Sequence, residues 1–424
     1  MPRRSLISHP FRTALAALIL LATAAIGAAY LTYARHLDRA RVEADKGHNA
    51  AARRHLEKCR SLWYPTRDAL LLDSRVARRS GDWEAAAAVL DAYSNRFGDD
   101  DRLVAERLML IATQGDIEFA APRLLAIIEE RRPEARPARE ALIIGLLFRF
   151  RWIEAERNIE AWLAVAPEDP TAVFLRGKFQ EQQQQTLAAM ASFEKVLELD
   201  PEHDEARLRL TTLLLQQRRP SELLTHLEYL RPRFPDLPEV HLQWVKALAL
   251  NGRNREAAAA LDECLQRFPN YPQALAERGA VAIQAGDDRT AEEFLARATK
   301  LAPGDYTARS QYAVVLARIG KEAEAARERE SLRQLEADQE RISELIAGPL
   351  QTRPKDPAVP HEIAVIALRS GQSTEALRWL TAALSVDPTH GPTHQLLANY
   401  HQASGNPALA AKHRALAKQY FKKP

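Results

Sequence analysis

Glycine recurs in this chain at a fixed distance. It stands at Gly47, Gly81 and Gly115, at Gly252, Gly286 and Gly320, and at Gly371 and Gly405, with 34 residues between neighbours in each group. A period of that length marks stacked supersecondary units, each of which touches its neighbours in the chain, so 424 residues need not imply several globular domains. The gap from Gly115 to Gly252 is 137 residues, four periods plus one, which places three glycine-free turns near Phe150, Gln184 and Arg218. Eleven turns result.

Other positions obey the same register. Five residues after the turns stand Ala52, Ala86, Ala120, Ala155, Ala189, Leu223, Ala257, Ala291, Ala325, Ala376 and Ala410. A side chain this small is needed where two helix axes approach closely. Four residues on, along the same helical face, come Leu56, Leu90, Leu124, Ile159, Phe193, Leu227, Leu261, Leu295 and Leu380. Seventeen residues after the turn, Pro167, Pro201, Pro235, Pro269, Pro303 and Pro388 stop the second helix. Each unit therefore reads helix, turn, helix, stop. The composition, 46% hydrophobic and 27% charged with only 16 glycines, agrees with an all-α chain.

Ala189, Phe193 and Pro201 with Gly177 upstream, and Ala291, Leu295, Ala298 and Pro303 after Gly279 and Gly286, carry a family resemblance. The chain resembles the tetratricopeptide repeat from Leu37 to its C-terminus, although the family's Trp and Tyr on the first helix are mostly Leu, Val and Ala here. The resemblance implies a right-handed superhelical solenoid of about eleven helix-turn-helix repeats, whose first helices line a concave groove that holds a peptide or helix of another protein. Counting back from the turns, that groove is expected to present Arg75, Arg78, Arg79, Lys178, Lys246 and Arg369. Arg75, Arg78 and Arg79 fall at three- and four-residue steps on one helix, which predicts a solvent-facing basic patch for an acidic partner, removable by charge reversal with little loss of stability. The Lys and Asn clamp of some chaperone-binding relatives is not matched by Lys178 and Lys246.

Two irregularities interrupt the array. Between Gly320 and Gly371 the spacing is 51, so an extra helix is expected over 323–346, with Leu332, Leu335, Ile342 and Ile346 at three- and four-residue steps. It reads either as a lengthened second helix packed on its neighbours or as a seam for self-association. The Pro-rich stretch 348–360 reads as a linker that divides an array over 35–347, about nine repeats, from two C-terminal repeats over 361–424. The glutamine run 180–185 reads as a solvated turn.

Ahead of the repeats, Thr13 to Ala34 is a run of 22 uncharged residues, about 33 Å long as a helix, enough to cross a bilayer core of about 30 Å. A short tail, 1–12, carries Arg3, Arg4 and Arg12, and Tyr30 and Tyr33 stand where an interfacial belt would be. A single-pass anchor in a bacterial cytoplasmic membrane is the leading reading, with the body outside the cytoplasm. The alternatives are a signal peptide cleaved near Gly27, Ala28 and Ala29, leaving a soluble periplasmic protein, and the reverse orientation.

Chemistry is harder to find. The net charge of +3 is spread along the chain and does not favour nucleic acid. Cys59 and Cys264 share one register position with Ile127, Trp162, Val196, Ala298 and Ala383, which makes them core residues. His394 and His401 are about 10.5 Å apart by helical rise, too far to share a metal ion, and His390 precedes their helix. No phosphate loop, nucleophile elbow or paired-cysteine motif is present, and the last unit runs to the end of the chain. No catalytic residue, cofactor or metal is expected. The chain reads as a scaffold for other proteins in an envelope, secretion or assembly complex, or alternatively as a non-catalytic accessory subunit of a membrane enzyme or cofactor-insertion complex.

Overall fold

The computed structural model describes residues 9–63 and 65–421, with side chains from Ala17 onward. Arg3 and Arg4 lie outside the described residues, as does the Arg12 side chain. The described residues form 23 helices and no strand, in two compact units divided at Ala206.

The first unit holds five hairpins: α1 (His9–Asp45) with α2 (Asn49–Leu62), α3 (Arg67–Arg79) with α4 (Trp83–Phe97), α5 (Asp101–Thr113) with α6 (Ile117–Glu129), α7 (Ala135–Phe148) with α8 (Trp152–Val165), and α9 (Pro170–Gln182) with α10 (Thr186–Leu199). The boundary falls within α11 (Asp204–Gln216), whose partner is α12 (Pro220–Arg233). The second unit continues with α13 (Pro238–Leu250) and α14 (Asn254–Arg267), α15 (Pro272–Gln284) and α16 (Asp288–Leu301), and α17 (Tyr306–Arg318) and α18 (Glu322–Ala347). After the short α19 (Pro349–Thr352) come α20 (Ala358–Arg369) and α21 (Ser373–Val386), then α22 (Gly391–Ala403) and α23 (Pro407–Tyr420).

Every turn of the 34-residue register joins the two helices of a hairpin. At Gly81 the backbone enters the left-handed region, φ 76°, and the next N–H, of Asp82, closes onto the Ala77 carbonyl at 3.0 Å. Phe150, Gln184 and Arg218 adopt the same conformation without glycine, with φ of 58°, 57° and 54°. The matching closure at Phe150 is Arg151 N–H to Leu146, 2.9 Å. Tertiary packing outweighs a local cost of about 1–2 kcal/mol for each side chain in that region. The extra residue in the period lies between the third and fourth hairpins, where Arg131 is left-handed as well, φ 53°.

All eleven register residues from Ala52 to Ala410 are buried, as are the nine large side chains one turn further on. Ala291 shares a core with Leu275, Leu295 and Ala308, and a Cβ on Gly279 of the facing helix would sit 2.6 Å from Leu295. Ala291→Trp should therefore cost about 1–3 kcal/mol or more by overpacking, and Ala296→Trp, half-buried off the seam, much less. Equal losses in thermal melts would refute this register.

The long spacing is a lengthened second helix: α18 runs 26 residues without a break. Leu332 and Leu345 are buried, Leu335, Ile342 and Ile346 half-buried, and Arg341 bonds Glu362 of α20 at 2.8 Å. The segment 348–360 holds α19 and the start of α20, inside the second unit.

α1 is continuous from its apolar portion to the first turn. From Ala17 to Asp45 it is long and apolar enough to cross a membrane, and Leu18, Leu20, Leu21, Ile26 and Leu31 are exposed. Beyond them Tyr33, Ala40 and Ala44 turn inward, which makes the end of α1 the first helix of the first repeat.

Candidate partner-binding surface

Consecutive first helices meet along a ladder. The sixth residue before one turn faces the ninth before the next: Arg75 Nε donates to Glu106 at 3.0 Å, Gln243 Nε2 donates to the Thr212 hydroxyl at 3.1 Å, and Lys246 Nζ stands 3.7 Å from Glu277. This spacing of 31 is the signal that locates the inner face. Glu106, Gln243 and Glu277 are ladder members that counting back to basic residues alone passes over.

In the first unit this face is filled. Arg79 donates through Nε to Glu140 at 2.7 Å, reaching from the second hairpin to the fourth, and through Nη1 to the Ala44 carbonyl. Arg136 holds Asp169 at 2.9 Å and the Asp45 carbonyl at 3.1 Å. Arg78 is buried beside Met109, with Nε and Nη1 unbonded, and burial pushes its pKa down. Burial pushes the Glu140 carboxyl up, but Arg79, Arg78 and Arg136 together outweigh it and hold it below the usual carboxylate range. The unit also closes on itself: His48, after the first turn, places Nε2 2.9 Å from Asp200, just after the fifth hairpin.

The expected solvent-facing patch of Arg75, Arg78 and Arg79 is therefore corrected. All three share α3 as the spacing requires, but their charges are sunk among Glu106, Glu140 and backbone carbonyls, because the hairpins curve tightly enough to bring α3 against α5 and α7. Lys178 lies over the Phe174 ring, 5.6 Å from its centre, in a small cavity of about 100 Å³ whose mixed lining includes Arg79, Glu140, Ile144, Leu175 and His203.

The same column behaves differently further along. From the second hairpin to the fifth it is Arg75, Met109, Ile144 and Lys178, buried or half-buried, with Met109 at 0%. In the second unit it is Thr212, Lys246 and Ala280, half-buried, and then Val314 and Val365, 47% and 40% exposed. Arg369 pairs with the buried Asp338 of α18 at 2.6 Å. The two basic residues expected on the groove of this unit, Lys246 and Arg369, thus have acidic partners, and its column is open at two valines.

The terminal histidines have internal partners. His394 is buried, with Nε2 on the Pro388 carbonyl at 2.9 Å and Nδ1 facing His413 Nδ1 at 3.0 Å. Burial, then His394, His401 and Lys412, lower the His413 pKa to about 4. Cys59 and Cys264 are free and buried, and burial raises each thiol to about 11.

Comparison with known proteins agrees with this architecture. Two family models, both described as tetratricopeptide repeat, match residues 37–100 and 151–204, and residues 180–243 and 248–305, together just over half of the chain. The chain is 27% identical over 223 residues to TPR repeat-containing protein PA4667 of Pseudomonas aeruginosa, covering 52% of this chain and 34% of that one. It is 26% identical over 325 residues to cellulose synthase operon protein C of Pseudomonas fluorescens, covering 73% of this chain and 24% of that one. It thus spans about a third and a quarter of these relatives. Among solved structures, PilW, a type IV pilus biogenesis factor, aligns at 18% identity and TM-score 0.37 over 54% of this chain and 96% of PilW. Human IFIT1 aligns at 16% identity and TM-score 0.40, over 84% and 91%. With the register, the hairpins and both family models in agreement, the chain belongs to the tetratricopeptide repeat family.

Proposed function

We propose that this chain is a membrane-anchored scaffold whose second unit holds a partner protein on its inner face. The supporting observation is the column that is closed in the first unit and open at Val314 and Val365 in the second. Large aliphatic side chains exposed at a ladder position gain by being covered, about 25 cal/mol for each Å² of apolar surface removed from water. The occupant is an extended segment or helix of mixed character, since Lys246 and Arg369 already have acidic partners. The apolar portion of α1 anchors the chain in the cytoplasmic membrane with the repeats outside the cytoplasm, and its role is non-catalytic. The name of the Pseudomonas fluorescens relative supports an envelope assembly setting and is equally compatible with an accessory subunit of a membrane enzyme.

The test compares partners recovered from detergent extract by the wild type and by Val314→Glu with Val365→Glu. Both positions are exposed, so the helical melt should be unchanged while recovery of the bound partner falls about tenfold, on the order of 1.4 kcal/mol. Ile153→Glu, 84% exposed in the first unit, serves as control. Loss with Ile153→Glu and none with the double variant would move the site off this face.

A further inference from the structure

We infer that the connection between the first two hairpins, with Trp63 at its head, lies in the headgroup layer of the bilayer, so that the first repeat is docked on the membrane rather than tethered above it. This rests on the reading of α1 as an anchor and goes beyond it. A tether needs a joint between span and body, and α1 has none. Leu37, Ala40 and Ala44 pack with Ala52, Leu56, Leu72 and Val76, so the helix that leaves the apolar run is already part of the repeat core.

The level at which α1 leaves the membrane is fixed by side-chain contacts. Tyr33, at the end of the uncharged run, is buried with its hydroxyl 2.8 Å from the Thr66 hydroxyl, and the Thr66 N–H donates to the same oxygen at 3.3 Å. The Cys59 thiol donates to the Tyr33 carbonyl at 3.6 Å. Thr66 caps the start of α3 and Cys59 lies in the last turn of α2, so the α2–α3 connection stands at the height of residue 33. Trp63 reaches lower. Its ring meets Tyr30 edge-on at 5.6 Å, three residues or about 4.5 Å further into the span. Tyr30 in turn stacks on Tyr33 at 6.4 Å and is half exposed.

Three aromatic rings from two segments thus gather where the apolar helix ends. Amphipathic rings of this kind favour the headgroup layer. The contact is confined to this connection. The next one on the same edge of the unit carries Asp99, Asp100 and Asp101, which an anionic lipid surface repels.

The test uses the full chain in vesicles of phosphatidylcholine and phosphatidylglycerol. The two native thiols are buried and stay in place, which keeps the Cys59 contact with Tyr33, and single nitroxide labels are placed through Leu21→Cys, Trp63→Cys and Glu84→Cys. Collision rates with oxygen and with a water-soluble nickel chelate are then compared. The label at 21 should be screened from nickel, that at 84, beside the opposite turn, fully open, and that at 63 several-fold less accessible to nickel than 84. Quenching by brominated lipid should likewise fall when Trp63→Phe replaces the wild type in the unlabelled chain. A label at 63 as open as that at 84, with no change in quenching, overturns the docked repeat while a screened label at 21 keeps the anchor. A nickel-accessible label at 21 overturns the anchor and the docking with it.

Discussion

Arg79→Ala should lower the stability of the first unit by about 3–5 kcal/mol, because it strands the Glu140 carboxylate in the interior without its main partner. Arg79→Glu should do worse, by setting two carboxylates against each other. The effect is local, so it should appear as faster amide exchange in α3, α5 and α7 with little change in the second unit. Arg79→Met combined with Glu140→Leu should recover most of the loss, since an apolar pair of similar volume removes both buried charges. Acid should mimic the single variant. The Glu140 pKa is depressed on folding, so the stability it contributes is present above the ordinary glutamate pKa and is lost as pH falls through the depressed value. Exchange in the first unit unchanged by Arg79→Ala would mean that this face is solvated, and the basic patch would again be available to a partner.

The second large effect is a change of compartment. The full chain should stay with carbonate-washed membranes, and a version beginning at Tyr30 should be recovered almost entirely soluble and helical, because no other helix among the described residues is long and apolar enough to span. The point of truncation matters. A chain beginning at Arg35 also lacks Tyr33, which is buried against Cys59 and Ala69 and bonded to Thr66, and should lose about 3 kcal/mol in the first repeat. Amide exchange in α2 and α3 distinguishes the two versions. A full chain recovered soluble and shortened by about its first thirty residues would instead establish a cleaved leader.

How the chain folds locally was written in its residues. A 34-residue period is a property of near-neighbour packing, and each hairpin buries its own Ala and Leu seam, so turns, helices and core positions follow from spacing alone, even at Phe150, Gln184 and Arg218 where no glycine marks the turn. What the basic residues face was decided elsewhere. Arg79 meets Glu140 across 61 residues, and His48 meets Asp200 across more than twice that distance. Such pairs depend on how far each repeat rotates against the last, a small angle summed over several interfaces that no single residue encodes. The same arithmetic of turns therefore gives Arg75 and Val314 one register position, and only the packing around each sets Arg75 against the buried Glu106 and leaves Val314 exposed.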